Sequence, residues 1–246
     1  MSDIATPALT SFARDQIAIV IGATGGIGQA FVTHLQASGR FGKVLCYARK
    51  TSPSLDFTDP ATIKACADDA KQQSAAAGCD IRLVIDATGY LHDDDFQPEK
   101  SLRQIDAKYL ARQFQINAIG PALLMQHFCP LMPRSEKSVF ATLSAKVGSI
   151  GDNRMGGWYG YRAAKAALNQ LVKCTAIEVG RNKRDFVCVA LHPGTVDTGL
   201  SRPFAKSGLN VQSPQQATAN MLAVIDQLTA QQSGGFFAYD GQALPW

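Results

Sequence analysis

The chain has 246 residues, 46% of them hydrophobic and 18% charged, with a formal net charge of +4. This composition excludes a globally disordered chain and suits one α/β domain spanning residues 1–246. The basic residues form only local spots, at Lys43, Arg49 and Lys50 and from Arg181 to Arg184, so nucleic acid is not an expected partner.

Gln16 to Ile21 is a short apolar run rich in β-branched residues and reads as a buried strand. The turn Gly22-Ala-Thr24-Gly-Gly26-Ile27-Gly28 follows, and then a helix to about Ser38, closed by Gly39. Strand, glycine turn and helix together make a phosphate cradle. Glycine lets backbone approach a pyrophosphate, and the helix N-terminus supplies free N–H groups and a positive dipole end. Lys43 to Ala48 is the second strand, followed by Arg49 and Lys50. Dinucleotide-binding folds carry an acid near this point for the ribose 2′-hydroxyl of NAD, or an arginine for the 2′-phosphate of NADP. The acid is missing and Arg49 is present, which favours NADP (NADPH) over NAD.

Leu55 to Phe57 reads as a short third strand. Asp59 and Pro60 open a helix to about Ala76, with Asp as N-cap and Pro in the first turn. Ile81 to Ala87 is the fourth strand, and Leu91 to Lys100 a polar loop. Ile105 to Met132 reads as a long helix bent at Gly120-Pro121. Asn117 lies inside it, where an asparagine commonly bonds local backbone.

Val139 to Ser144 is the fifth strand, with Ser144 at its carboxyl end, where open α/β sheets place ligands. Ala145 to Gly157 is a loop. Tyr161 and Lys165 follow, at the head of a run with apolar residues at Ala164, Leu168, Leu171, Val172 and Val179, the spacing of an amphipathic helix. Residues four apart share a helix face, so phenol and ammonium are neighbours. A nearby positive charge favours the phenolate and is expected to lower the Tyr161 pKa, fitting it for acid/base work. Phe186 to His192 is the sixth strand, with His192 as a hydrogen-bonded strand-end residue. Leu200 to Gln212 has few regular signals and is a candidate lid. Ser213-Pro214 starts the last helix, and Gly235 to Asp240 is the seventh strand. The alternation implies a Rossmann-type, doubly wound parallel sheet of about seven strands with helices on both faces.

The six cysteines are scattered. They form no C-x-x-C pair and no metal-ligand spacing with the four histidines, so they read as small core residues and no metal is expected. Met1 to Asp15 has no apolar leader core and no run approaches membrane-spanning length. A soluble, cytoplasmic protein with no membrane partner is expected.

In this order, the glycine turn, Asn117, Ser144, Tyr161 and Lys165 resemble the short-chain dehydrogenase/reductase superfamily in its single-domain form. The resemblance runs from Ile17 to Gly241. Gly89-Tyr-Leu-His-Asp, Asn117-Ala-Ile-Gly-Pro, Gly156-Gly-Trp-Tyr-Gly-Tyr-Arg and Leu191-His-Pro-Gly-Thr-Val resemble its C-factor and sniffer-like carbonyl reductase branch. The resemblance implies that Gly22, Gly26 and Gly28 form the cofactor cradle. It implies that Asp56 and Phe57 contact adenine, and that Ala87, Thr88 and Gly89 line the adenosine ribose. Tyr161 would be the acid/base, Lys165 the holder of the nicotinamide ribose, Ser144 the carbonyl-polarising group and Asn117 the holder of a relay water. Pro193, Gly194, Val196 and Thr198 would orient the nicotinamide. The implied function is NADPH-dependent reduction of a small-molecule ketone or aldehyde to its alcohol. A non-enzymatic, NADP-binding signalling protein of the C-factor type is the alternative. The Ala-rich face of the Tyr161 helix is compatible with a homodimer or homotetramer.

The chain departs from the family pattern in three places. Ile21 stands where threonine is usual. Asp86-Ala-Thr-Gly89 replaces Asn-Asn-Ala-Gly, so the sheet centre must be stapled differently. Ser144 lies four residues before Gly148, whereas the family serine lies three before it, where this chain has Ala145. An extra loop residue is expected to restore the serine.

Overall fold

The computed structural model describes residues 4–204 and 210–246. Six strands form one parallel sheet: β1 (Gln16–Ile21), β2 (Phe41–Tyr47), β3 (Ile81–Asp86), β4 (Ser138–Leu143), β5 (Phe186–His192) and β8 (Phe236–Ala238), in the order β2-β1-β3-β4-β5-β8. The chain leaves β1 toward β2 and then returns to its other side as β3. The direction of winding therefore reverses at the carboxyl ends of β1 and β3, where such sheets open a ligand crevice.

Alternation along each strand feeds two cores. Ile17, Ile19 and Ile21 enter one core, with Phe140 and Cys188. Ala18 and Val20 enter the other, with Val139, Ala141, Val187 and Val189. The helices divide between the same faces. α2 (Pro60–Ala77), α4 (Gly120–Phe128) and α5 (Tyr159–Gly180) cover the first with Ile63, Leu124, Leu168 and Val172. α1 (Gly26–Ala37) and α6 (Pro214–Gln227) cover the second with Phe31, Leu35, Met221 and Ile225. Asp59 caps α2 as its sequence implies, its carboxylate accepting from the Ala61 N–H.

Two expectations are corrected. Leu55 to Phe57 is not a strand, which leaves the main sheet with six strands instead of seven. The apolar side chains of Leu55 and Phe57 still enter the core, and Asp56 folds back on Thr58, whose N–H and hydroxyl both donate to its Oδ1. The long helix is divided before Gly120, not at it. α3 (Ala107–Phe114) passes into a π-turn (Gln115–Ile119) and then into α4. The extra residue of such a turn rotates side chains out of helical register, and π-turns recur at functional sites. A small pair, β6 (Thr195–Val196) with β7 (Val211–Gln212), frames the expected lid, whose residues 205–209 lie outside the described residues.

The glycine turn is held by close approach. A Cβ on Gly28 would sit 2.1 Å from the Gly22 carbonyl oxygen, whereas one on Gly26 would make ordinary contacts, with the Thr198 methyl at 3.5 Å and Pro214 Cγ at 4.0 Å. Gly22 itself is left-handed, at φ +79. Gly28→Ala should therefore lower stability by about 3 kcal/mol or more. Gly26→Ala should fall within about 1 kcal/mol of the parent, since a helix prefers Ala to Gly. Urea unfolding of the two variants checks the contrast; equal losses would contradict it.

Candidate active site

A cavity of about 590 Å³ opens at the carboxyl ends of β1, β2 and β3. Gly22, Thr24 and Gly25 form one wall, Ala48, Arg49 and Lys50 the second, and Asp56, Phe57, Ala87, Thr88 and Gly89 the rest. Arg112 and Ile116, from α3 and the π-turn, complete it. Sequence reasoning missed both: Ile116 sits in the π-turn, which a regular helical period does not show, and Arg112 lies about one turn before it on α3. Phe57 lies flat against Gly120, where a Cβ would come within 2.3 Å of the ring. That contact accounts for the glycine at the start of α4.

Asn117 is fully buried in the π-turn. Its amide nitrogen donates to the Tyr90 carbonyl and to Gln113 Oε1, both at 2.7 Å, and its Oδ1 accepts from the Tyr90 N–H at 3.1 Å. Gln113 and the Tyr109 hydroxyl both donate to the Leu91 carbonyl. Tyr109, Gln113 and Asn117 thus form a row that clamps the backbone leaving β3. A polar residue every fourth position was the signal for it. The Asn117 side chain has no capacity left for a relay water beyond one lone pair on Oδ1.

The sheet centre is stapled by Asp86. Its Oδ2 accepts from Thr142 at 2.6 Å, and its Oδ1 from the N–H and hydroxyl of Thr88. Burial pushes the Asp86 carboxyl up, against these hydrogen bonds and the charge of Lys165. Lys165 is only 2% exposed. Its Nζ donates to the Leu143 carbonyl at 2.7 Å and lies 5.9 Å from the centre of the Tyr161 ring. Burial lowers the Lys165 pKa to about 8, with Asp86 pulling the other way. The Tyr161 phenol departs from the expected direction: burial pushes it well above its ordinary value. Desolvation by burial is the cause, and it acts opposite to the lowering expected from the neighbouring lysine.

Ser144 and Ala145 face different ways. The Ser144 hydroxyl donates to Asn169 Oδ1 at 2.7 Å and is shut off from solvent. Asn169 lies two turns along α5 from Tyr161, about 12 Å at the helical rise. Ala145 belongs instead to the buried apolar cluster of Leu91 and Tyr161. The strand keeps its alternation, with no extra residue to bring Ser144 round.

The entry to α5 was also unread. Gly156, Gly157 and Trp158 are all left-handed, at φ +62, +66 and +52. Such a conformation costs a tryptophan about 1–3 kcal/mol and persists only where its surroundings hold it. Glu99, 2% exposed, does so. Its backbone carbonyl accepts from the Trp158 N–H, and its carboxylate accepts from the Gly160 N–H at 3.1 Å, where the helix dipole favours negative charge. On the other side of β5, Gly194 (φ +76) brings the segment Pro193 to Thr198 across the site. A Cβ there would lie 2.9 Å from the Tyr239 ring. The segment reaches the glycine turn through the Thr198 methyl.

A parallel sheet that reverses beside a glycine cradle, with a buried Tyr–Lys pair at its rim, defines an oxidoreductase of the short-chain dehydrogenase/reductase superfamily. The family model described as enoyl-(acyl carrier protein) reductase matches residues 22–231, and the chain belongs to that family. It is 30% identical over 243 residues to 1-hydroxy-2-glutathionyl-2-methyl-3-butene dehydrogenase of Rhodococcus sp. (strain AD45), covering 93% of this chain and 98% of that one. It is 36% identical over 146 residues to the C-signal of Myxococcus xanthus, covering 59% of this chain and 84% of that one. Among solved structures, the NADPH-bound carbonyl reductase from chicken fatty liver superposes with a TM-score of 0.83 at 26% identity, with both chains fully covered. The carbonyl reductase Sniffer of D. melanogaster shares the fold, with a TM-score of 0.80 at 21% identity over 95% of this chain and 100% of that one. Among the described residues, no helix is long and apolar enough to cross a membrane.

His192 differs from its expected role. Its Nδ1 is buried and has no hydrogen-bond partner among the described residues. Burial, then the Lys146 charge, lowers its pKa to about 4, opposed by Asp240. The unfolded chain therefore takes up this proton first as pH falls. His192 adds stability above the unfolded histidine pKa, about 6.5, and that stability is lost as pH falls from there toward 4. His192→Gln should flatten this part of the stability profile relative to the parent. Thermal unfolding at pH steps between 7 and 4 checks it; parallel profiles would contradict it.

Proposed function

We propose that this protein is an NADPH-dependent carbonyl reductase that converts a small ketone or aldehyde into its alcohol. One observation carries the reading: Lys165 Nζ lies 5.9 Å from the centre of the Tyr161 ring and both residues are buried, with Lys165 held by the carbonyl that ends β4. The lining of the cavity suits the adenosine and phosphate part of a dinucleotide. Gly22 to Gly28 would take the pyrophosphate, and Arg49 a 2′-phosphate. Asp56 and Phe57 would take the adenine, and Ala87, Thr88 and Gly89 its ribose. Pro193, Gly194, Val196 and Thr198 would orient the nicotinamide, and Lys165 would hold the nicotinamide ribose. When bound, NADPH supplies the hydride that reaches the carbonyl carbon.

The chain's own residues supply position and the proton. Tyr161 gives its phenolic proton to the carbonyl oxygen as negative charge develops there. The Lys165 ammonium then stabilises the phenolate left behind, and solvent returns the proton. Asn117 acts by clamping the backbone at Tyr90, beside the cavity and the reacting centre. Ser144 acts on Asn169 of α5, so Tyr161 is left as the side-chain hydrogen-bond donor to the carbonyl.

The C-signal likeness and the alanine beside Tyr161 favour a second reading, an NADP-binding signalling protein without turnover. A panel of aldehydes and ketones with NADPH and NADH, read at the nicotinamide absorbance, separates the two. Tyr161→Phe should abolish reduction yet leave NADPH binding nearly intact. Ser144→Ala should leave kcat/KM nearly unchanged and lower stability by about 1–3 kcal/mol, the cost of leaving buried Asn169 Oδ1 unpaired. Ala145→Ser, which places a hydroxyl beside Tyr161, should raise kcat about tenfold, part of what one oxyanion donor supplies. A large loss of rate in Ser144→Ala would return Ser144 to the reacting centre.

Cofactor choice rests on Arg49. A guanidinium meets a phosphate with parallel charge-assisted bonds, about 1.5–3 kcal/mol each. Arg49 is exposed, which retains only part of that, so a preference for NADPH of roughly ten- to a hundredfold is expected. Ala48→Asp with Arg49→Ile should move kcat/KM toward NADH. A parent that already prefers NADH, or a ratio that does not move, would make Arg49 a solvated loop residue.

A further inference from the structure

From Tyr161 outward, a row of aromatic rings packs edge to edge, next to the residues that line the cavity but not among them. The Trp158 ring stands edge-on to Tyr161 at 6.2 Å, Phe204 edge-on to Trp158 at 5.2 Å, and His92 edge-on to Phe204 at 5.2 Å. Leu91, next to His92 in the chain, closes the inner end with Ala145 against Tyr161. The row is connected to the dinucleotide cavity, because the Leu200 side chain that packs with it comes within 3.9 Å of a Cβ placed on Gly89. Within this row of apolar faces one polar atom has no partner. His92 Nε2 is shut off from solvent and makes no hydrogen bond among the described residues. A buried ring nitrogen without a partner is costly and calls for an explanation. An apolar pocket with one fixed polar group is how small-molecule sites set orientation.

We propose that His92 is a specificity-determining residue, and that its Nε2 hydrogen-bonds a polar group of the substrate remote from the reacting carbonyl. The inference rests on the reductase reading for the identity of the reacting end. The substrate class is then a flat, apolar carbonyl compound, aryl for choice, that carries a hydroxyl or second oxygen away from the carbonyl. The rings hold the body of the substrate by face and edge contacts, and His92 fixes which way round it lies. Either tautomer serves: Nε2 donates to an oxygen or accepts from a hydroxyl. The other two orphaned ring or phenol atoms of the neighbourhood do not compete. Tyr90 turns its ring to Tyr109 and Arg112, and His192 lies in the fields of Lys146 and Asp240.

The test compares acetophenone with its meta- and para-hydroxy derivatives, in two readouts. Trp158 is one of only two tryptophans, so in a Trp246→Phe background its fluorescence reports ligand in the row without turnover. The parent should bind at least one hydroxylated ketone about tenfold or more tightly than acetophenone, because a site built around a hydrogen bond rejects the analogue that lacks it. His92→Phe should remove that preference while leaving acetophenone binding unchanged, and His92→Gln should keep part of it. In turnover with NADPH the same preference should appear in KM, with kcat nearly constant. The absence of any preference in the parent, or a preference that survives His92→Phe, would overturn the proposal. Preferential binding lost in His92→Phe without reduction of any ketone would uphold His92 and sink the reductase reading instead.

Discussion

The site depends on one ammonium group kept out of water. Lys165 is buried at the carboxyl ends of β3 and β4, with the Leu143 carbonyl as its hydrogen-bond partner and the Asp86 carboxylate as its nearest compensating charge. An isolated buried charge would neutralise or unfold its surroundings. The neighbourhood is therefore built to tolerate it. Asp86 takes three hydrogen bonds from Thr88 and Thr142, which oppose the upward push of burial on its carboxyl. The residue that breaks the family pattern at position 86 is thus the one whose carboxyl opposes the effect of burial on the lysine. Tyr161 shares the same dry environment, and its phenol is pushed toward the protonated form as a result. Burial thus acts on both groups, disfavouring the charged form of each.

Around that centre the chain uses backbone clamps more than side-chain contacts. Tyr109, Gln113 and Asn117 fix the backbone at Tyr90 and Leu91. Glu99 fixes the left-handed start of α5 through Trp158 and Gly160. Both clamps act on the same stretch, residues 90–99, which therefore joins the end of β3 to the head of the helix that carries Tyr161. Displacement of that stretch would move the reacting phenol relative to the glycine cradle, and positioning errors on the scale of an ångström are costly in catalysis.

The parts that were legible in the sequence are those governed by short-range pattern. The apolar runs at 16–21, 81–86, 139–143 and 186–192 became central strands because β-branched residues buried on both faces have few other places to go. The glycine turn and the Tyr161–Lys165 spacing likewise carry their geometry locally. What was hidden depends on register or on long-range pairing. Leu55 to Phe57 has the composition of a strand but gives up its ladder when Asp56 turns back on Thr58. Ser144 has the right type and nearly the right place, yet strand alternation sends its hydroxyl to Asn169 and leaves Ala145 at Tyr161. A one-residue shift in a strand reverses which face a side chain serves. The opposite effect of burial on Tyr161 was invisible because a sequence shows the neighbouring lysine but not the missing water.

The central claim is that hydride and proton meet on a carbonyl held beside Tyr161. The most direct test uses NADPH deuterated at its transferable position and an aldehyde and ketone panel, with the product alcohol examined by mass spectrometry. The account predicts deuterium on the carbinol carbon of the alcohol from the parent enzyme, and no labelled alcohol from Tyr161→Phe that still binds NADPH. Unlabelled product, or labelled product formed as fast by Tyr161→Phe, would contradict it.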